Sequence, residues 1–474
     1  MEKILMILEV SQKQHYIFEP RGLKENMQRS ANIARVTSSA FFQETCPKDY
    51  DPNWHMVYSG GGHTVLQFDT QEEATRFAKA VTTRVLQEYP GMELFVQQHP
   101  YDPARTPGDN LNELSRKLEI KKSRREHSFR TYGLGIEKPA DLTDPRPVPN
   151  DYTPPSGWKA VNPLDVKDDS EHFLAVVHID GNAMGKRVQK IYEACQHDWS
   201  TCVRLLNQFS TEIDQHYAMA FDEMAADLAN YLEPLYGKKN RVKELPLRKI
   251  IGAGDDICFL TSGQFGLECA ANFLKHLNGM KNQADGEYYT ACAGVVLIHK
   301  KFPYRLAYDM SEALCRSAKE FCTAHNGGIS ALDFHVEYGQ MKDSLSEIRA
   351  DYTTDDGAML ELRPLAVTAT PEVPQTRTYD FLRKKLHHLH TLQTDRDFNF
   401  GGLARSKIKS LRDALHQGEL ETRLALRMTN ANSLLEEDGV QEAFFTDSQG
   451  VRRCYYFDAI ELLDVTTLWP EVSP

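Results

Sequence analysis

At 474 residues the chain exceeds what one hydrophobic core serves, and it points to two or three domains. Its apolar and charged fractions, 41% and 26%, are those of a globular protein, and no apolar run approaches the ~18 residues of a membrane span. A net charge of −12 argues against a long nucleic acid held through its backbone, and nine scattered cysteines without a C-x-x-C pair argue against a zinc ribbon or a disulfide framework. Small anionic substrates arriving with divalent cations suit this charge better, and a reducing cytoplasm suits the thiols. The opening "MEKILMILEV" is too short and too acidic at its end for a signal peptide.

In chain order, "ILMILEVSQ" reads as a short buried strand, and "LKENMQRSANIARVTSSAFFQE" carries apolar residues at helical spacing. "HMVYSGGGHTVLQFD" is a hairpin around a glycine turn, "EEATRFAKAVTTRVLQEY" an amphipathic helix, and "MELFVQQH" a strand. The first unit, residues 1–131, thus has the order β-α-β-β-α-β. Residues 132–166 are rich in Pro, Asp and Gly and read as an irregular connection.

The same order then recurs over residues 167–365. "HFLAVVHID" is a strand, residues 187–240 read as a helical insertion, "RKIIGAGDDICFLT" is a hairpin turning at Gly254-Asp255, "FGLECAANFLKHL" is a helix and "YYTACAGVVLIHK" a strand. The expected fold class is α+β: two ferredoxin-like units in tandem, hairpin tips facing, plus a mostly helical C-terminal domain over 378–474. A Thr- and Pro-rich stretch from Thr368 to Arg377 marks its boundary.

In the ferredoxin-like order the first strand lies beside the hairpin, so Asp180 is expected close to Asp255 and Asp256. Like charges at short range raise one another's pKa, and a divalent cation removes that penalty. Mg²⁺ or Mn²⁺, as a pair about 4 Å apart, activates a hydroxyl and holds a leaving phosphate, which is the chemistry of nucleotidyl transfer. Gly181, Gly185, Gly252 and Gly254 leave room for a triphosphate, Asn182 offers an amide to a base or ribose, and Arg305 or Lys319 is placed to meet phosphates. Each feature has a plainer reading: G-D-D is good turn chemistry, D-G-N is a loop start, and Lys319 alone suits a solvated helix face. Their combination in one β-α-β-β unit favours the cation site.

"VVHIDGNAMGKRV", "GAGDDICFL", "RSAKEF" and "SALDFHVEYG" resemble the second palm domain of the large polymerase-like subunit of type III CRISPR systems, and more distantly the GGDEF diguanylate cyclases. "EVSQKQHYIFEPRGLKENMQRSANIA" and "YSGGGHTVLQF" resemble that subunit's first, degenerate palm, and "SKIKSLRDALHQGEL" and "YYFDAIELLDV" its helical C-terminal domain. The resemblance implies that Asp180, Asp255 and Asp256 are catalytic metal ligands and that the second palm converts ATP, or another NTP, into a cyclic or linear oligonucleotide messenger for antiviral defence. The first palm's tip, Ser59-Gly60-Gly61-Gly62-His63, lacks the paired acids, so it is expected to hold an acceptor nucleotide through backbone amides rather than two metals.

The chain departs from the family in three respects. No HD nuclease domain stands before the first palm strand at Lys3, the cysteine zinc motif between the palms is missing, and Ala253-Gly254 replaces the usual double glycine. A minimal relative is expected, free-standing or in a reduced complex. The alternative is an RNA-binding scaffold subunit, with CRISPR RNA and effector-complex subunits as partners; a membrane partner is not expected, and a homo-oligomer stays open. His197-Asp198, the "LHHLH" histidines His387, His388 and His390, the pair Cys195 and Cys202, and the "KKSRR" run each have a structural reading that outweighs a ligand or nucleic-acid role.

Overall fold

The computed structural model describes residues 3–20, 22–124, 152–165, 173–236, 243–339, 344–368, 370–394, 405–429 and 442–470. Strands β1 (Ile4–Ser11), β2 (Met56–Gly60), β3 (His63–Phe68) and β4 (Glu93–Pro100) form an antiparallel sheet in the order β2-β3-β1-β4. That order belongs to the ferredoxin-like unit. Leu5 and Ile7 of β1 face one core while Ile4, Met6, Leu8 and Val10 face another, which is why the strand reads as an unbroken apolar run.

The second sheet contains β5 (Trp158–Val161), β6 (Phe173–Gly181), β7 (Lys243–Ala253), β8 (Asp256–Ser262), β9 (Ala291–His299), β10 (Ala331–Val336) and β11 (Leu365–Ala366). Its order is β11-β10-β9-β6-β8-β7-β5. The middle four, β9-β6-β8-β7, repeat the first sheet position for position, so the tandem arrangement stands. Three strands enlarge it. β10, within "SALDFHVEYG", lies parallel to β9 after a crossover through the helix Tyr304–Ala324. β5 lies parallel to β7, inside the stretch expected to be an irregular connection. Four residues among prolines gave it too little periodicity to stand out.

The expected insertion at 187–240 is a misreading. The helices Met184–Cys195 and Trp199–Tyr236 are the second palm's own crossover, with Cys202, Leu206, Phe209, Ile213, Tyr217, Ala220 and Met224 buried as one stripe. The longer helix packs against β2 of the first palm, while the helix Leu23–Val36 of the first palm packs against β7 of the second. Each unit therefore lays its first long helix on the other's hairpin, as the two halves of an isologous dimer do.

The C-terminal region is mostly helical, as expected: Tyr379–Thr394, Arg405–Gln417, Glu419–Thr429 and Phe457–Leu462, with a small hairpin β12 (Phe444–Thr446) and β13 (Arg452–Cys454). It shares the main core with the second palm. Arg383 bonds to buried Glu268, and fully buried Arg363 lies 2.8 Å from Glu461. Following β4, the helix Pro107–Arg124 carries the first part of the "KKSRR" run, whose Lys121 donates to the Val96 carbonyl and Lys122 to Glu9. The last arginine of that run, at 125, lies outside the described residues. Among the described residues, no helix is long and apolar enough to cross a membrane.

Candidate active site

Antiparallel pairing of β6 with β8 sets Asp180 directly opposite Asp256. Asp255 precedes it at the turn, with its carboxylate over Gly181: a Cβ placed on Gly181 would lie 2.9 Å from Asp255 Oδ2 and 2.7 Å from the Tyr217 hydroxyl. Glycine is therefore required at 181 for the acid to sit there. The three carboxylates share one recess, open enough for a ligand, since the side chains of Asp180 and Asp256 are 39% and 37% exposed. Burial, reinforced by the Asp180 charge, pushes both Asp255 and Asp256 up to about 7.

Asp180 is turned onto Lys319, whose ammonium lies 2.5 Å from Oδ2 and 2.9 Å from the Gly181 carbonyl. Lys319 is thus part of the cluster and not a solvated helix face. As the side chains stand, no group of three His, Cys, Asp or Glu among the described residues is gathered into a ready ligand set, so the three acids would have to draw together around an ion. The Lys319 ammonium already pairs with Asp180 and turns that carboxylate toward itself. The donors nevertheless suit Mg²⁺ or Mn²⁺. All are carboxylate oxygens, and Asp256 Oδ1 is buried without a hydrogen-bond partner, His178 Nε2 approaching only to 3.5 Å.

Facing this recess is the first palm's tip. A Cβ on Gly254 would lie 3.3 Å from Gly61 N, so the two hairpin turns touch backbone to backbone, and both glycines have positive φ (+66° and +57°). Gly60 opens onto free space, and Gly62, at φ +78°, presses on Ile33 and Lys13. His63 is held neutral, its pKa lowered to about 4 by burial and by the nearby Lys13 charge.

Other expected contacts are corrected. Ser59 donates to the Thr37 carbonyl and pairs with Thr64, so it braces the hairpin. Asn182 is buried, with its amide donating to Thr290 and the Ile329 carbonyl, because the loop after β6 must be tied to its neighbours. Arg305 begins the helix on which Lys319 sits fourteen residues later, about 21 Å at 1.5 Å per residue, at the far end of the sheet beside Leu174 and Ile298. His197-Asp198 is a helix start: Asp198 accepts from the backbone of Ser200 and Thr201. Cys195 and Cys202 are core residues, and the histidines at 387, 388 and 390 lie on the helix Tyr379–Thr394.

Two features were missed from sequence. Asp214, inside the long crossover helix, accepts from Gly254 N at 3.0 Å and fixes the second palm's tip. The second is an internal symmetry. Glu9 faces His63 across β1 and β3 as Asp180 faces Asp256, and Glu9 pairs with Lys122 at 2.9 Å as Asp180 does with Lys319. Both lysines stand fifteen positions into their helices (107 to 122, 304 to 319). Gln12 and Ala183, each three residues after its carboxylate, are both left-handed, with φ of 50° and 57°. Equal spacing from the strand-end acids would have revealed this in the sequence.

Comparison with solved structures decides the fold. The chain superposes on structures of the Csm1–Csm4 cassette. Against the cassette in complex with one ATP, and against that with cA3, the TM-score is 0.59 at 12% identity, covering 98% of this chain and 70% of the other. A Csm1–Csm4 subcomplex of the type III-A CRISPR–Csm interference complex matches with a TM-score of 0.54 at 13% identity, over the same shares. No protein-family model and no curated protein matches the sequence.

Proposed function

We propose that this chain is a metal-dependent nucleotidyltransferase that joins ATP into cyclic or linear oligoadenylates, in the manner of a type III CRISPR signalling subunit. The observation that carries this reading is the meeting of an acid-bearing tip, Asp255-Asp256 beside Asp180, with an acid-free glycine tip, Gly60–Gly62, so close that a Cβ on Gly254 would lie 3.3 Å from Gly61 N. Neighbouring folds are cassettes bound to ATP, pppApA, cA3 and cA4, which supports adenosine nucleotides as substrate and product. The same cassettes support a Csm4-like subunit as partner.

Asp180, Asp255 and Asp256 would hold Mg²⁺ or Mn²⁺, which when bound lowers the pKa of the attacking 3′-hydroxyl and neutralises the triphosphate. The remaining work falls to the chain's own groups. Lys319 stands where it can pass from Asp180 to a phosphate oxygen. The tip glycines let the acceptor nucleotide approach the backbone, and Asp214 keeps the Gly254 turn from shifting. The test is incubation of the purified chain with each NTP and Mn²⁺, followed by mass spectrometry. ATP should give oligoadenylates, and Asp255→Ala with Asp256→Ala should give none while folding normally. Wild-type product levels from that double variant would sink the mechanism.

A further inference from the structure

The internal symmetry is broken at one informative place. Four residues after its strand-end carboxylate the second palm has Met184, whose methyl packs over Gly181, whereas the first palm has Lys13. Lys13 opens a short helix after the left-handed Gln12, a conformation that non-glycine residues adopt mainly where the fold imposes it. Its stem passes 3.2–3.3 Å from where a Gly62 Cβ would stand, so a side chain at 62, already strained at φ +78°, would crowd it. Its ammonium donates to the Gly61 carbonyl, its one acceptor among the described residues, leaving two of three N–H groups free. The Gly61 turn that it binds faces the second palm's tip, where a Cβ on Gly254 would lie 3.3 Å from Gly61 N.

We propose that Lys13 is a phosphate-binding residue of the catalytic cleft, taking the triphosphate of an NTP lodged between the Gly60–Gly62 tip and the second palm's carboxylates. This inference rests on the nucleotidyltransferase reading and adds to it a residue on the wall opposite Lys319. Two ammonium groups, one from each palm, would then grip the same polyphosphate from both sides. An ammonium held at the glycine tip by the Gly61 carbonyl is a compact cation for an anion to meet, and its position ties phosphate binding to correct apposition of the palms.

The test is isothermal calorimetry with Mg²⁺ and either a non-hydrolysable ATP analogue or adenosine, on wild type, Lys13→Met, Lys13→Gln and Lys13→Arg. Lys13→Gln keeps a donor for the Gly61 carbonyl and serves if the methionine variant folds poorly. The Met and Gln variants should bind the analogue at least tenfold more weakly while binding adenosine like wild type, and Lys13→Arg should stay within threefold. Wild-type affinity of both neutral variants for the analogue would overturn the role of Lys13 alone. So would equal losses for analogue and adenosine, which would make Lys13 a brace for the tip. A wild-type chain that binds no ATP analogue would overturn the nucleotidyltransferase reading itself.

Discussion

Replacing Asp256 with asparagine should stabilise the metal-free protein, and the gain should depend on pH. Burial and the Asp180 charge raise the Asp256 carboxyl from 3.8 to about 7. The folded state therefore holds a proton that the unfolded state has released between those values, and stability falls as pH rises through that window. The penalty is complete above about pH 7. A rise of that size corresponds to at most ~4 kcal/mol, but a side chain 37% exposed is screened by water, so about 1–2 kcal/mol is expected. Thermal melting in EDTA at pH 8 should show Asp256→Asn above wild type by about 1–2 °C, with less than half of that gain at pH 5. Added Mn²⁺ should raise the wild type at pH 8 and raise the variant much less. A variant that melts at or below wild type at pH 8 without metal would refute the claim that these acids repel one another.

Gly254→Ala and Gly61→Val place side chains at φ +66° and +57°, costing about 1–2 kcal/mol each; product formation should fall at least tenfold, and unchanged rates would mean that tip apposition is not needed. Arg363→Met should cost about 3–5 kcal/mol, because it leaves Glu361, Asp458 and Glu461 buried around a lost cation; proteolysis should then open the C-terminal helices first, and an unchanged melting curve would contradict that pinning role. His63 should stay neutral down to about pH 5, since burial and Lys13 hold its pKa near 4; an NMR titration midpoint near 6.5 would place it in open solvent instead.

Strand order was legible because the two palms use short apolar runs bounded by glycine hairpins, and the position of Asp180 beside the Asp255-Asp256 turn follows from that order. What stayed hidden depended on side-chain partners distant in sequence. Asn182 sits in a loop-start motif that reads as ligand chemistry, yet burial gives its amide to Thr290 and Ile329. Arg305 and Lys319 share an amphipathic helix, and only the helix's length separates a residue near the acids from one at the far end of the sheet. The crossover helix Trp199–Tyr236 looked like an insertion because of its length, although its buried stripe at three- and four-residue spacing was already present in the sequence.

The two palms preserve a carboxylate–lysine pair at the same place and differ at the tips, and that difference has an electrostatic reason. Gly254 and Gly61 touch backbone to backbone, so any acids at one tip lie close to those at the other. Beyond burial, the Asp180 and Asp256 charges already raise the Asp255 carboxyl within a single palm. Paired acids at positions 62 and 63 would have placed a second such cluster against the first. Gly62 and a neutral His63 remove that repulsion, and Lys13 adds a cation in its place. The absence of acids from the first palm's tip therefore suits the close apposition of the two tips, which leaves carboxylates on one side and the Lys13 ammonium on the other. In the proposed reaction such a cleft would distinguish its two nucleotides by charge: the carboxylate wall, with its metal, would take the reacting phosphate, and the glycine wall the partner nucleotide.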